Sequence, residues 1–241
     1  MLASKHSTIA DEDGLIYKVN GTGVNGRNTL YSEDQLKFRR LRSSASKESF
    51  KFLHDNSTDY TIAIFVKSDC ESRFCALLGN GHKSSSQKKG FVLGFEGHST
   101  ANGGQVWFRI TNGTSSLINS KTKKGVIKKG MSSFILIEFD KSKSLRPVSI
   151  YSNNTLKEVP ANSVRLENKS FSNEDPNHHV FLGGEPKSMK NGKCVNCYSN
   201  SKARSFKGHI GDVIIFKNLL TDDQKADLFD FMKVKWGIES K

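Results

Sequence analysis

The sequence predicts an all-β fold, a two-sheet antiparallel jelly-roll sandwich followed by one C-terminal amphipathic helix. Short runs rich in Ile, Val and Phe recur from residue 50 onward, and turn-forming residues separate them. In the runs 60–67 and 210–216 both alternating sets of side chains are largely apolar, which is typical of strands covered on both faces. A clear helical period then follows Thr221.

The first 49 residues differ from the rest, because they are polar and irregular. We expect them to form an N-terminal arm with edge strands. Gly21, Gly23 and Gly26 have the spacing of a dinucleotide-binding loop, but no helix pattern follows them, so a turn between two edge strands is favoured. The basic run 37–42 is interpreted either as a solvated arm or as an assembly contact.

Residues 50–241 are expected to form the sandwich and its helix. Nine strands are predicted, at residues 60–67, 75–78, 90–95, 105–110, 115–120, 133–140, 148–152, 180–182 and 210–216. Polar loops connect them. The Lys-rich segment 121–130 is interpreted as a solvated hairpin tip, with enough charge for a polyanion contact.

The C-terminal helix has clear sequence signals. Thr221 and Gln224 have capping-box spacing, in which each side chain bonds to the backbone N–H of the other residue. The apolar residues that follow recur at helical spacing: Leu228, Phe229, Met232 and Trp236. We therefore expect a helix over residues 221–236, ended by Gly237.

Several motifs, taken in order, resemble those of concanavalin A-like, laminin-G-like domains. They are D-Y-T-I-A-I-F-V-K from Asp59, G-F-V-L-G-F from Gly90, V-F-L-G-G from Val180, G-H-I-G-D-V-I-I-F from Gly208, and the N-L-L-T-D-D-Q and K-W-G-I segments around the helix. The resemblance covers roughly residues 50–238. It implies a lectin-type sandwich of the kind found in secreted accessory modules and in phage or viral surface appendages. It also implies that strand 60–67 pairs antiparallel with strand 210–216.

The four cysteines form two close pairs, Cys70/Cys75 and Cys194/Cys197. The strand pairing implied by the resemblance would bring both pairs to one end of the sandwich. Four thiolates on loops suit a closed tetrahedral zinc site. Two disulfides are the alternative in an oxidising medium, and free thiols are the third. Either cross-link would be structural, because four sulfur ligands leave no open coordination position.

The net charge of +13 favours an anionic partner, although a Lys-rich chain can also be basic only for solubility. No apolar run approaches the length of a membrane span, and the first residues contain no apolar region of a signal peptide. Nucleic acid is not the expected partner, since no aromatic residues interleave the lysines of segment 121–130.

Catalytic signatures are absent from the sequence, so we expect no catalytic residue and no catalytic cofactor. Glu138 and Asp140 are the nearest carboxylate pair, but no further carboxylate follows them, and Glu138 is expected to face solvent or to pair within its sheet. A carbohydrate-active hydrolase or lyase on the same fold is the alternative. Asp69, Asn80 and Asn102 do not form a convincing calcium loop.

Six residues make up the predicted ligand-binding set. Trp107 and Arg109 fall on one face of their strand, where an aromatic ring and a guanidinium suit an anionic sugar. Packing of Trp107 under a loop or under the C-terminal helix is the favoured alternative. The other four residues lie in polar loops, which carry recognition on rigid sandwiches: His82, Lys83, His98 and Asn102.

These observations together predict a non-enzymatic, lectin-like attachment module of a phage or viral surface, such as a fibre, decoration or receptor-binding component. Its expected partners are a cell-surface glycan or anionic polysaccharide, neighbouring shell proteins, and further copies of itself. A purely structural assembly protein is the third hypothesis. The expected location is the virion surface or the extracellular space.

Overall fold

The computed structural model describes residues 15–19, 30–32, 39–41, 50–70, 74–79, 88–97, 103–113, 116–143, 148–152, 161–165, 171, 180–183, 189–190, 193–194 and 206–236. In chain order the elements are β1 (Leu15–Val19), β2 (Leu30–Ser32), β3 (Arg39–Leu41), α1 (Phe52–Asp55), β4 (Tyr60–Ser68), β5 (Phe74–Gly79), β6 (Lys88–Glu96), β7 (Gln105–Gly113), β8 (Ser116–Thr122), β9 (Ser132–Phe139), β10 (Val148–Ser152), β11 (Ala161–Arg165), β12 (Val180–Leu182), β13 (Met189–Lys190), β14 (Lys193–Cys194), β15 (Gly208–Phe216) and α2 (Asp222–Trp236).

The strands form two antiparallel sheets, which confirms the predicted sandwich. The six-stranded sheet has the order β1-β15-β4-β9-β10, with β2 also paired to β15, and the seven-stranded sheet has the order β11-β8-β7-β6-β5-β12-β3. Strands β13 and β14 pair separately. Among the described residues, the N-terminal arm supplies β1, β2 and β3, while Gly21, Gly23 and Gly26 lie outside them.

The pairing implied by the resemblance is present, because β4 runs antiparallel to β15. Ile62 lies opposite Ile215, and Ile64 lies opposite Val213. Beyond these strands, the backbone N–H of Asp69 donates to the carbonyl of Lys207 at 2.9 Å. The residues that follow β4 therefore lie beside those that precede β15.

Apolar side chains cover β4 on both of its faces, as its sequence pattern predicts. Ile62 and Ile64 belong to the main core, which also contains residues of β5 to β8 and therefore lies between the two sheets. Ala63 and Phe65 belong to a second cluster with Phe229 and other residues of α2. The helix therefore covers the outer face of the six-stranded sheet.

The predicted capping box of α2 is confirmed. Thr221 N donates to Gln224 Oε1 at 2.9 Å, and Gln224 N donates to Thr221 Oγ1 at 3.3 Å. At the other end of the helix, Trp236 stacks on Phe65 with ring centroids 4.8 Å apart. A Cβ added at Gly211 would lie 2.6 Å from the Phe65 ring and 2.8 Å from that of Trp236, so only glycine allows this close packing. No helix in the described part of the chain is long and apolar enough to span a membrane.

The segment predicted as a hairpin tip is not a hairpin. It leaves β8 of the seven-stranded sheet and enters β9 of the six-stranded sheet, so it crosses between the sheets. Val126 and Ile127 within it are 3% and 0% exposed. The sequence patterns did not predict strand β11 or the short helix α1.

Candidate functional site

The outer face of the seven-stranded sheet carries the residues singled out on β7. Val106, Phe108 and Ile110 point into the inter-sheet core. Trp107 and Arg109 alternate with them and therefore lie on the opposite, outer face. We call Glu96, Trp107, Arg109, Asn119 and Lys121 the outer-face cluster.

Neighbouring strands hold the Trp107 indole in place. Its Nε1–H donates to Asn119 Oδ1 at 2.7 Å. The guanidinium carbon of Arg109 lies 4.5 Å from the centre of the indole ring, and Lys121 Nζ lies 6.0 Å from it. Phe74 meets the ring nearly edge-on, with centroids 5.3 Å apart. Trp107 is therefore a fixed aromatic support for two cations.

This geometry revises the role predicted for Trp107. The side chain is only 6% exposed, and Arg109 covers one face of its ring, so that face is not open for sugar stacking. The alternative of packing under the helix is wrong, because α2 lies on the other sheet. Arg109, which is partly exposed, is the group presented to solvent.

A small apolar floor lies beside these charges. Ala76, Val92 and Trp107 form a cluster separate from the inter-sheet core, and the partly buried Phe74 packs against it. Gly94 is the cross-strand partner of Trp107 and places no side chain next to the indole. Ala76, Val92 and Trp107 are all nearly buried, so the polar rim is the part of this face that reaches solvent.

The rim is basic on balance. Lys121 forms an ion pair with Glu96, and their side chains are 33% and 15% exposed. Arg109 adds a second cation. Gln105, at the start of β7, donates from Nε2 to the carbonyl of Thr122 at 2.5 Å and so ties β7 to β8. The described residues of the rim are thus two cations and one carboxylate, a composition that suits an anionic group.

Sequence reasoning missed Asn119 and Lys121 as partners of Trp107, and Glu96 as the partner of Lys121. The pattern of β8 shows that Asn119 and Lys121 share a face, but their contact with Trp107 depends on the register in which Lys121 lies opposite Trp107. In addition, Lys121 was assigned to the turn, whereas it belongs to β8.

The four predicted loop residues lie outside the described residues, but the flanking strands fix where their loops begin. The loop with His82 and Lys83 joins Gly79 to β6 at one end, and the loop with His98 and Asn102 leaves β6 at the other. The nine-residue strand β6 separates these ends by about 26 Å. The two loops therefore begin at opposite ends of the sheet, and all four residues remain predictions.

One cysteine pair links the two sheets. Cys70, after β4, forms a disulfide with Cys75 on β5, and Lys207 N donates to Cys70 Sγ at 3.2 Å. The side chains of Cys194 and Cys197 lie outside the described part of the chain. Within that part, no three His, Cys, Asp or Glu side chains are grouped to hold a metal. The disulfide takes up two of the four thiolates of the predicted zinc site, so a site of four zinc-bound thiolates is contradicted. A second disulfide remains a prediction.

The carboxylates Glu138 and Asp140 do not form a shared cleft. Glu138 is 8% exposed, so a solvent-facing position is wrong, and its Oε2 accepts from Tyr151 at 3.0 Å and from Lys225 of α2 at 3.4 Å. Asp140 follows the end of β9, and hydrogen bonds from Ser142 lower its pKa. Each carboxylate has local structural partners.

No protein-family model and no curated protein matches the sequence. Solved structures do match. A leech intramolecular trans-sialidase complexed with 2,7-anhydro-Neu5Ac is similar over 96% of this chain and 29% of its own, with TM-score 0.59 and 15% identity. The CBM40 of a Ruminococcus gnavus IT-sialidase is similar over 81% of this chain and 98% of its own, with TM-score 0.51 and 18% identity. The NanB sialidase of Streptococcus pneumoniae is similar over 82% of this chain and 27% of its own, with TM-score 0.52 and 14% identity.

The chain thus spans less than a third of the two sialidases but nearly the whole CBM40. At these identities the likeness shows the fold alone. The chain has the concanavalin A-like β-sandwich fold, as the sequence resemblance implied, and this is a fold of lectin-like carbohydrate-binding modules.

Proposed function

We propose that this chain is a non-enzymatic glycan-binding module that holds an anionic sugar on the outer face of its seven-stranded sheet. The observation that supports this best is the outer-face cluster, in which the cations Arg109 and Lys121 both lie against the buried ring of Trp107. The carboxylate or sulfate of an anionic sugar would accept paired hydrogen bonds from a guanidinium.

The indole prepares Arg109 for this role. A guanidinium already stacked on a fixed ring loses less side-chain entropy on binding than a freely rotating one. Lys121 contributes by exchanging its pairing with Glu96 for the ligand anion. Charge-assisted hydrogen bonds of this kind contribute about 2 kcal/mol each.

Sialylated glycans are the first ligands to test. The similar structures come from sialidases and a sialidase module, and the leech enzyme was solved with 2,7-anhydro-Neu5Ac, a sugar that carries a carboxylate. Polysaccharides that contain uronic acids present the same anion and come second.

Binding without turnover agrees with the positions of the acids. Glu138 is enclosed beneath α2, and Asp140 lies beyond the end of its strand. Within the described part of the outer-face cluster, Glu96 is the one carboxylate, whereas most glycosidases need two. A hydrolase or lyase on this fold is the alternative.

The proposed setting is a phage or viral surface, or another extracellular assembly, in which the module is a fibre, decoration or receptor-binding component. Strand β3, from the basic run of the arm, ends the seven-stranded sheet in the described part of the chain. Edge strands are ready templates for pairing with another chain. Docking to a shell protein or to a second copy would use this edge.

A glycan array tests the proposal by comparing the Arg109→Gln variant with wild type. The control variant is Lys217→Gln, which removes the charge of an exposed lysine that precedes α2. Wild type and Lys217→Gln should bind anionic glycans, and Arg109→Gln should bind them at least about tenfold more weakly. Release of reducing sugar from any bound glycan would establish the enzyme alternative. If the chain neither binds a glycan nor releases reducing sugar, but assembles stably on a particle, a purely structural role is favoured.

A further inference from the structure

We infer that residues 123–131, which connect β8 to β9 and are here called the lysine crossing, form a binding surface for a linear polyanionic polysaccharide. This inference rests on the proposed function and extends it. The outer-face cluster would hold one charged unit of the polymer, and the lysine crossing would hold the units that follow.

Buried residues anchor the lysine crossing. Val126 and Ile127 belong to the inter-sheet core. Ile127 and Gly104 exchange two backbone hydrogen bonds of 3.1 and 2.8 Å, and Gly130 N donates to the carbonyl of Ser68 at 2.7 Å. The segment is therefore fixed to both sheets, which lowers the entropic cost of presenting its side chains.

Lysines flank this buried pair on both sides. Lys123, Lys124, Lys128 and Lys129 are all exposed. Among the described carboxylates, none forms an ion pair with Lys123, Lys124 or Lys128. Their positive charge is therefore not neutralised by a neighbouring described acid.

Further basic residues lie at the same end of the sandwich. Lys67 is near the end of β4, and Lys207 directly precedes β15. The described acids at this end are Asp69 and Glu96, and Glu96 is already paired with Lys121. The positive charge of the lysine crossing is thus part of a larger basic region.

The lysine crossing continues directly from the outer-face cluster. Lys121 lies opposite Trp107 in the sheet, and Lys123 follows two residues later. Lys123 directly follows the last residue of β8. Arg109, Lys121 and Lys123 therefore lead from the outer face of the sheet to the lysine crossing.

A polysaccharide fits this surface better than a nucleic acid or a membrane. The lysine crossing contains no aromatic residue on which a base could stack. Its one exposed large apolar side chain is Met131, at 40%, which is too little for insertion into a bilayer.

The test compares two triple variants that remove the same charge. One carries Lys123→Gln, Lys124→Gln and Lys128→Gln. The control carries the same change at three exposed lysines of the opposite end, after β9 and before α2: Lys141, Lys143 and Lys217. Affinity for dextran sulfate is measured over a salt series.

The affinities of wild type and control for dextran sulfate should differ by less than about threefold. The crossing variant should bind dextran sulfate roughly tenfold more weakly, and its affinity should depend less steeply on salt. Its affinity for a short sialylated glycan should be unchanged. Equal weakening of both triple variants would overturn the inference, because net charge alone would then explain it.

Tighter binding of duplex DNA or of phosphatidylserine vesicles than of polysaccharide, at equal salt, would overturn the assigned partner. Failure of the proposed function gives a different result. Wild type would then bind no short anionic glycan, and Arg109→Gln would change nothing, whatever the crossing variant does.

Discussion

The outer faces of the two sheets have opposite chemistry. Helix α2 covers the six-stranded sheet over a broad apolar cluster that includes Phe65, Phe134 and Trp236. The seven-stranded sheet has on its outer face a cluster of only three buried apolar residues, bordered by the charges of Arg109 and Lys121. One face has the composition of an interior, and the other has the composition of a contact surface.

Charged residues also differ between the two faces. Asp212, on β15, is fully buried and accepts from Lys235 of α2 at 2.8 and 2.6 Å. Near the start of α2, Lys225 bonds to Glu138, and both side chains are nearly buried. These pairs tie the helix to the sheet. On the other face, the cation Lys121 keeps a third of its side chain in solvent.

Replacing the tryptophan of each face should separate stability from binding most clearly. Trp236→Ala removes a stacked ring from beneath the helix and should lower the free energy of unfolding by about 4 kcal/mol. Trp107→Ala should cost less, about 2 kcal/mol, because flexible cations cover part of its ring and can collapse onto the site. Urea denaturation of both variants measures the difference.

Binding should show the reverse order. Trp107→Ala should lower the affinity for an anionic glycan about tenfold, because Arg109 loses its support. The folded Trp236→Ala variant should keep the affinity of wild type. Similar losses of stability together with similar losses of binding would mean that the two faces are not functionally different.

Breaking the buried pair of Asp212 is expected to have the next largest effect. Lys235→Ala leaves a buried carboxylate without its partner and should lower the free energy of unfolding by about 3 kcal/mol. Lys233→Ala is the matched control, since its pair with Asp230 is exposed and contributes below about 0.5 kcal/mol. Thermal or urea unfolding checks both, and equal losses would show that Asp212 does not depend on Lys235.

The disulfide should contribute less than these buried contacts. Cys70→Ser with Cys75→Ser opens a short loop between the sheets, and the chain-entropy relation gives about 2 kcal/mol for such a loop. Urea unfolding with and without reductant measures the contribution of the disulfide to the free energy of unfolding. Wild type under reductant should match the double variant, and a variant as stable as the oxidised protein would show that the bond is dispensable.

The smallest expected change concerns Arg109. Arg109→Lys keeps the charge but loses the planar, paired donors, so affinity for an anionic glycan should fall by a factor of about five with little change in stability. Titration calorimetry is the measurement. Unchanged affinity would mean that charge alone, without guanidinium geometry, holds the ligand.

The sequence was most informative where structure is local. The capping box at Thr221 and the apolar alternation of β4 each depend on neighbouring residues, and both predictions are confirmed. Strand β11 was missed because its sequence, ANSVR, contains little apolar alternation.

The candidate site depended on information that the sequence does not contain. Trp107 contacts Asn119 and Lys121 only in the observed register of β7 and β8, and strand periodicity leaves register open. The lysine crossing did carry a signal, because the adjacent pair Val126 and Ile127 is apolar between lysines. Such a pair indicates an anchored segment more than a solvated tip.

The chain has two tryptophans, one on each outer face, so the indole N–H signals of a ¹⁵N-labelled sample test the central claim directly. Trp107→Phe assigns the two signals. On titration with a sialylated or uronate-containing glycan, the Trp107 signal should shift and saturate while the Trp236 signal stays in place. A shift of Trp236 alone, or no shift of either signal with any anionic glycan, would contradict the assignment of the binding face.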